Sequence, residues 1–340
     1  MKIVLVSGSY PPAVCGVGDY SKNLLEAGSE GVWSLYTSNN WRLASLPLHI
    51  RSITRMNPDA VVMQYPTQGY GWSLVPHLLG IYYSLRPRVK FAVALHEFSQ
   101  LSLKARAALW MLMGFTQSAI FTSKYEADIA ADTLSRLRSR STVIPIKYNI
   151  EPVRHVHEMS LRTKDVCYFG QIRPNKGIEQ FIDVCKRLLN DHPMLSVYIA
   201  GQVPEGYESY LEAVRRSIEG TSIRIVENMP PDRVTELLND CRVAYLPFPD
   251  GVSERRGSFL AAISNGLAVV AQAGSFSSPQ LKAAFIEAGT DPCSSILEVL
   301  QSSEAQYSAI QSNGFRYLQD YVPSSWSEVA RRYESFLSIA

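Results

Sequence analysis

Residues 166–181, VCYFGQIRPNKGIEQF, decide the reading of the chain. Val166, Cys167, Tyr168 and Phe169 form a short apolar run of β-favouring residues, and Gly170 ends it. From Gly177 onward, Ile178, Phe181, Ile182, Cys185, Leu188 and Leu189 recur at helical spacing. A strand, a turn and a helix in that order leave unpaired backbone N–H groups at the helix start, and Arg173 and Lys176 add positive charge to the turn. A phosphate or diphosphate is the ligand such a turn suits; solvated loop cations are the plain alternative. The spacing matches neither a Walker loop nor a dinucleotide fingerprint.

Outward toward the C-terminus the alternation continues. Strands are expected near 195–200, 223–226, 243–246 and 268–271 with helices between them, a doubly wound α/β unit. Gly201 closes the first of these strands. After Leu246 comes PFPDGVSERRGSFLAAISNGLAVVAQAG, in which Gly257 and Ser258 open a helix with Phe259, Leu260 and Ile263 on its apolar face. Ser253, Glu254, Arg255 and Arg256 lie in the loop before it. A helix start furnished with a glycine, a hydroxyl and two arginines can cradle a diphosphate.

Outward toward the N-terminus a second doubly wound unit is expected, with strands at 2–6, 32–36, 60–64, 91–95, 118–122 and 142–146. The loop Gly16-Val17-Gly18 leads into a helix expected to open near Gly18 or Asp19. Its glycines let the backbone approach a ligand at the carboxyl end of a first parallel strand, although a connecting turn needs them equally. His96 and Glu97 follow the 91–95 strand at the edge where ligands sit; a histidine there is a proton carrier or hydrogen-bond donor, or else holds a loop. Ser123 and Glu126 have capping-box spacing. Tyr65, Tyr70, Trp72, Tyr82 and Tyr83 suit sugar rings or a membrane interface, core packing being the commoner cause. The 101–115 stretch reads as a buried helix, with a membrane-surface helix as the alternative. Residues 150–164 read as a linker carrying exposed His155 and His157. The final 20 residues, YVPSSWSEVARRYESFLSIA, form a helix capped by Ser324 or Ser325, whose stripe of Trp326, Val329, Tyr333, Phe336 and Leu337 must dock on something.

A length of 340 residues suits two domains, and 46% apolar with 19% charged residues marks a folded chain. Residues 1–150 carry 15 Lys+Arg against 8 Asp+Glu, a net +7, whereas the remainder carries 18 against 23, a net −5. The basic half is expected to face something anionic, phospholipid headgroups or a pyrophosphate-linked lipid among the candidates; no nucleic-acid reader motif is present. Five scattered cysteines argue against a disulfide framework. The first apolar run is too short for a signal peptide, and nowhere do about eighteen apolar residues run uncharged, so a cytoplasmic protein, at most bound to the inner face of the membrane, is expected.

Three passages, YPPAVCGVGDY, FGQIRPNKGIEQF and LPFPDGVSERRGSFLAAISNGLAVVA, resemble those of retaining glycosyltransferases of the large family four. The resemblance implies a GT-B fold of two Rossmann-like domains facing a cleft: 1–152 on the acceptor side, 153–322 for the nucleotide sugar, and 323–340 as a helix crossing back to the first domain. It further implies that Arg173 and Lys176 bind the leaving diphosphate, that Gly16, Val17 and Gly18 approach the transferred sugar and phosphate, and that His96 contacts the sugar. Gly170, Gly201, Glu254, Arg255, Arg256, Gly257 and Ser258 complete the donor-binding set. Two departures stand out: Gln171 replaces a common arginine, and the family's paired glutamates fall at Ser253 and Ala261, leaving Glu254 as a stand-in for the first. The implied function is transfer of a sugar from a nucleoside-diphosphate donor to a hydroxyl of a glycan or lipid-linked acceptor with retention, in assembly of polysaccharide, glycolipid or glycoconjugate of the bacterial type. No Asp-x-Asp pair stands ready for a metal, so no cofactor is expected. A non-catalytic binding subunit and a nucleotide-sugar epimerase are the alternatives.

Overall fold

Strand and helix alternate from the first residues: β1 (Ile3–Val6), α1 (Gly16–Ala27), β2 (Trp33–Tyr36), α2 (Leu46–Arg55), β3 (Ala60–Tyr65), α3 (Val75–Ser84), β4 (Lys90–Leu95), α4 (Leu103–Phe115), β5 (Ser118–Phe121), α5 (Lys124–Thr133) and β6 (Ser141–Val143). The pattern resumes with β7 (Lys164–Phe169), α6 (Ile178–Asp191), β8 (Val197–Gly201), α7 (Glu208–Ser217), β9 (Ile223–Glu227), α8 (Pro231–Asp240), β10 (Cys241–Leu246), α9 (Gly257–Ser264), β11 (Ala268–Ala271), α10 (Pro279–Lys282), β12 (Ile286–Glu287), α11 (Pro292–Leu300) and α12 (Glu304–Tyr321). It ends with α13 (Trp326–Ile339). This computed structural model describes residues 1–96 and 103–339; Glu97 and Leu101 lie outside them. The chain forms two units, Met1–Lys147 with the segment from Pro323 on, and Tyr148–Val322.

The first unit holds a six-stranded sheet in the order β2-β1-β3-β4-β5-β6, every pair parallel. Its central strands are buried along their length, as near-continuous apolar runs such as AVVMQY and FAVAL require when helices cover both faces. One face packs Val4, Val6, Val61, Met63 and Phe91 against α3 and α4; the other packs Ile3, Leu5, Val62 and Ala92 against α1 and α13. Val329, Tyr333 and Leu337 of α13 are wholly buried there, and an apolar side chain of that size contributes roughly 1.5–3 kcal/mol on burial. Glu334 adds direction: it accepts the Ser29 backbone N–H at 3.0 Å, the Ser29 hydroxyl at 2.7 Å and the Trp33 indole N–H at 2.6 Å. Ser325 caps the helix, accepting the Glu328 N–H at 3.1 Å.

The second unit holds another six-stranded parallel sheet, in the order β12-β11-β10-β7-β8-β9. Two expectations need correction. Helix α1 opens at Gly16, two or three residues earlier than the sequence suggested, because Cys15 is still extended and its carbonyl accepts the Asp19 N–H at 2.9 Å. The 150–164 stretch is not a loose connection either. Arg162 within it is 1% exposed and donates to the carbonyls of His157, Leu238, Cys241 and Asn265. His157 is accordingly half-buried, its N–H donating to Asn239 Oδ1 at 2.9 Å, while His155 is exposed as expected.

Candidate functional site

An open parallel sheet binds ligands beyond the carboxyl ends of its strands, where neighbouring strands send their connections in opposite directions. In the second unit β7 and β10 are those neighbours, so the loops 170–177 and 247–256 flank the reversal. Packing there leaves no room for side chains at two points. Gly177 has φ +84°, and a Cβ on it would lie 1.9 Å from the Pro247 carbonyl oxygen; a Cβ on Gly201 would lie 1.7 Å from that of Gly170. The loops are thus drawn together by residues that only glycine can serve.

Positive charge collects on this edge. The Tyr168 hydroxyl, at the end of β7, donates to the Lys176 carbonyl at 3.1 Å, which shapes the turn. Burial pushes the Tyr168 phenol up, and the positive charge of Arg256 and then Arg173 acts against that rise. Arg173 Nε donates to Gln171 Oε1 at 3.0 Å, so the glutamine positions this arginine. Arg256 is held harder, ion-paired with Asp250 and stacked 4.7 Å above the Phe248 ring, with its side chain 17% exposed. Arg256 also precedes α9, whose start at Gly257 and Ser258 is half-buried and receives no side-chain cap, so its first N–H groups are available to an anion. Buried Ser253 beside it has a hydroxyl without a hydrogen-bond partner among the described residues. Glu179, in the first turn of α6, accepts the Tyr210 hydroxyl at 2.6 Å.

Glu254 and Arg255 are placed differently. The Glu254 carboxyl is raised by burial, opposed by a hydrogen bond from Ser278, and it faces Tyr317 of α12. Arg255 lies 6.0 Å over the Phe276 ring. Of the donor-binding candidates in the second unit, Gly170, Arg173, Lys176, Glu254, Arg255 and Arg256 lie in the loops that flank the reversal, Gly257 and Ser258 open the helix that follows, and Gly201 at the end of β8 packs against Gly170.

In the first unit the reversal lies between β1 and β3. A Cβ on Gly69 would fall 1.6 Å from the Gly8 carbonyl oxygen, and Gly8 itself abuts Thr67 and Tyr70. Gly16 and Gly18 stand in the first turn of α1; Gly18 is close to the Ser9 backbone, at 3.3 Å from an added Cβ, whereas nothing lies within 4 Å of one on Gly16. Val17 accepts the Ser21 hydroxyl on its carbonyl at 2.7 Å. His96 follows β4 and is 8% exposed; its Nε2 meets Gln64 Oε1 at 2.6 Å, and its ring lies edge-on to Tyr20 at 4.9 Å. Tyr20 in turn donates to the Tyr333 hydroxyl at 3.1 Å, linking His96 to α13.

Comparison with known proteins follows the same division. Residues 163–291, within the second unit, match the family model for glycosyl transferases group 1. No curated protein matches the sequence. Among solved structures, Anabaena Alr3699/HepE in complex with UDP and glucose superimposes with a TM-score of 0.74 at 15% identity, covering 100% of both chains. Sucrose-phosphate synthase from Thermosynechococcus elongatus gives 0.71 at 14% identity, again over 100% of each. The catalytic domain of starch synthase IV from Arabidopsis thaliana, bound to ADP and acarbose, gives 0.65 at 10%, covering 100% of this chain and 99% of the other. The chain as a whole has the GT-B fold.

Sequence reading missed Tyr168, Phe248, Asp250 and Tyr210. Tyr168 looked like an ordinary strand residue, and its hydroxyl at a strand terminus was the available signal. Phe248 and Asp250 stood in the quoted PFPDG segment, where an aromatic and an acid a few residues before Arg256 pointed to its partners.

Proposed function

We propose that this protein transfers a sugar from a nucleoside-diphosphate donor to a hydroxyl acceptor with retention of anomeric configuration, the second unit holding the donor. The observation that supports this most is the start of α9 at Gly257 and Ser258, without a side-chain cap and preceded by Arg256, in a loop that flanks the reversal of a parallel sheet. When the bond from the anomeric carbon to the diphosphate oxygen breaks, negative charge gathers on the diphosphate. Arg173, Lys176, Arg256 and the N–H groups at Gly257 and Ser258 are preorganised cations and dipoles that lower the energy of that state. The acceptor oxygen bonds to the same face of the anomeric carbon, and its proton passes to the departing diphosphate. In this scheme protein cations supply the counter-charge that a metal supplies elsewhere.

A glycan or lipid-linked acceptor in polysaccharide or glycolipid assembly fits this reading. Among the described residues no helix is long and apolar enough to cross a membrane. Thermal shifts against uridine, guanosine, adenosine and thymidine diphosphates test the donor site, since a ligand bound only by the folded form raises its stability. A shift with at least one of them, lost in Arg173→Ala, is expected. Product stereochemistry then tests retention. Donor binding without sugar release under any condition would assign the chain as a binding subunit, and donor conversion without acceptor as an epimerase.

A further inference from the structure

We propose that the first unit docks on an anionic phospholipid surface through the face carrying Leu43, Leu48, Trp72 and Leu74. These side chains are 61%, 64%, 92% and 53% exposed, where residues of their size are ordinarily covered. They lie on two segments that the fold ties together. The Ser73 hydroxyl donates to the Trp41 carbonyl and accepts the Val75 N–H at 3.0 Å, so the turn bearing Trp72 and Leu74 is fastened beside the turn bearing Leu43. The mount beneath is firm: Trp41 stacks on His49 at 4.5 Å and meets Tyr70 edge-on at 4.7 Å, and His49 bonds Ser45 at 2.9 Å.

Charge selects the occupant. Residues 37–58 and 66–84, which bear these side chains, contain no Asp or Glu, and their cations are Arg42, Arg51 and Arg55. Asp59 precedes β3 and is engaged by the Lys2 N–H at 2.7 Å, whereas Trp72 and Leu74 follow the carboxyl end of that strand. Arg42 adjoins Leu43, Arg51 stands three residues beyond Leu48, and both arginines are exposed. Leucines and an indole flanked by arginines, with no carboxylate in the surrounding sequence, suit hydrocarbon beneath anionic headgroups: the apolar groups enter the interface while the guanidinium groups meet lipid phosphates. An acidic protein would account for the arginines alone. The proposal concerns the first unit only and stands apart from the donor reading.

Flotation of the full chain with vesicles tests it, in the absence of donor and acceptor. Vesicles of phosphatidylcholine with phosphatidylglycerol are expected to carry the protein, and those of phosphatidylcholine alone much less. The double variants Trp72→Ser with Leu74→Ser, and Arg42→Glu with Arg51→Glu, should each lower the partition about tenfold or more. Met194→Ser, which removes a residue of the second unit that is also 92% exposed, should leave it unchanged. Melting temperatures and the nucleoside-diphosphate shift check that every variant is folded with its donor site intact, so failure here leaves the donor reading standing. Absence of flotation with both vesicle types, equal flotation on both, or partition unaltered in the double variants overturns the proposal. Self-association abolished by the Trp72 and Leu74 changes without flotation assigns the face to a second copy and overturns it equally.

Discussion

At the reversal of the first sheet, between β1 and β3, loops close around neutral groups: Gly69 against Gly8, Tyr70 with its phenol pushed up by burial, and His77 behind Tyr65 with its ring pushed toward the neutral form by burial. At the reversal of the second, between β7 and β10, loops close just as tightly through Gly177 and Pro247, yet the groups around them are Arg173, Lys176 and Arg256. Strand order alone creates a place beyond the sheet edge in both units. What that place attracts depends on the residues in two short loops, and the cations of the second pair are the ones on which the proposed diphosphate site rests.

The comparison can be broken most forcefully at the glycines. Gly177→Ala and Gly69→Ala each force a Cβ into a backbone carbonyl, and both should cost about 3 kcal/mol or more in denaturant titrations. A mild effect at either position would show that the loops there are not held together. The cations come next. Lys176→Ala should reduce turnover by about 10- to 1,000-fold at nearly unchanged melting temperature, and Arg256→Ala by a similar factor with a lowered melting temperature, because Asp250 loses its partner; full turnover in both would contradict the proposed role of this edge. A smaller effect is expected at His96→Ala, which leaves the buried Gln64 carbonyl without its partner and costs about 1–3 kcal/mol, while nucleoside-diphosphate shifts persist.

Acid should act on the strap that α13 lays over the first unit. The Ser324 hydroxyl and backbone N–H hold the Glu328 carboxyl down to about 2, aided by Arg332 and opposed by desolvation. Because the folded value lies below the ordinary 4.5, this contribution is complete above pH 4.5 and fades as pH falls toward 2. Amide exchange in α13 should rise across that window, and Glu328→Gln should remove the dependence. The smallest effect is expected at Gly16→Ala, which meets nothing within 4 Å and should shift stability by about 1 kcal/mol or less. Weakened substrate binding in that variant would show that a ligand approaches the backbone there.

Local pattern was enough for the alternation of strands and helices, for Gly170 and Gly177 as the punctuation of a strand-to-helix turn, and for the α13 stripe, because periodicity and turn chemistry depend on neighbours a few residues away. It also brought Arg173, Lys176, Gly257 and Ser258 forward as anion groups, since a helix start is recognisable within one turn. Tertiary structure decided the rest. Arg162 lies in a stretch that read as a linker, yet carbonyls from positions 157, 238, 241 and 265 close around it. Which loops flank each reversal follows from strand order, and strand order is set by contacts between segments far apart in the chain, which no short window of sequence contains.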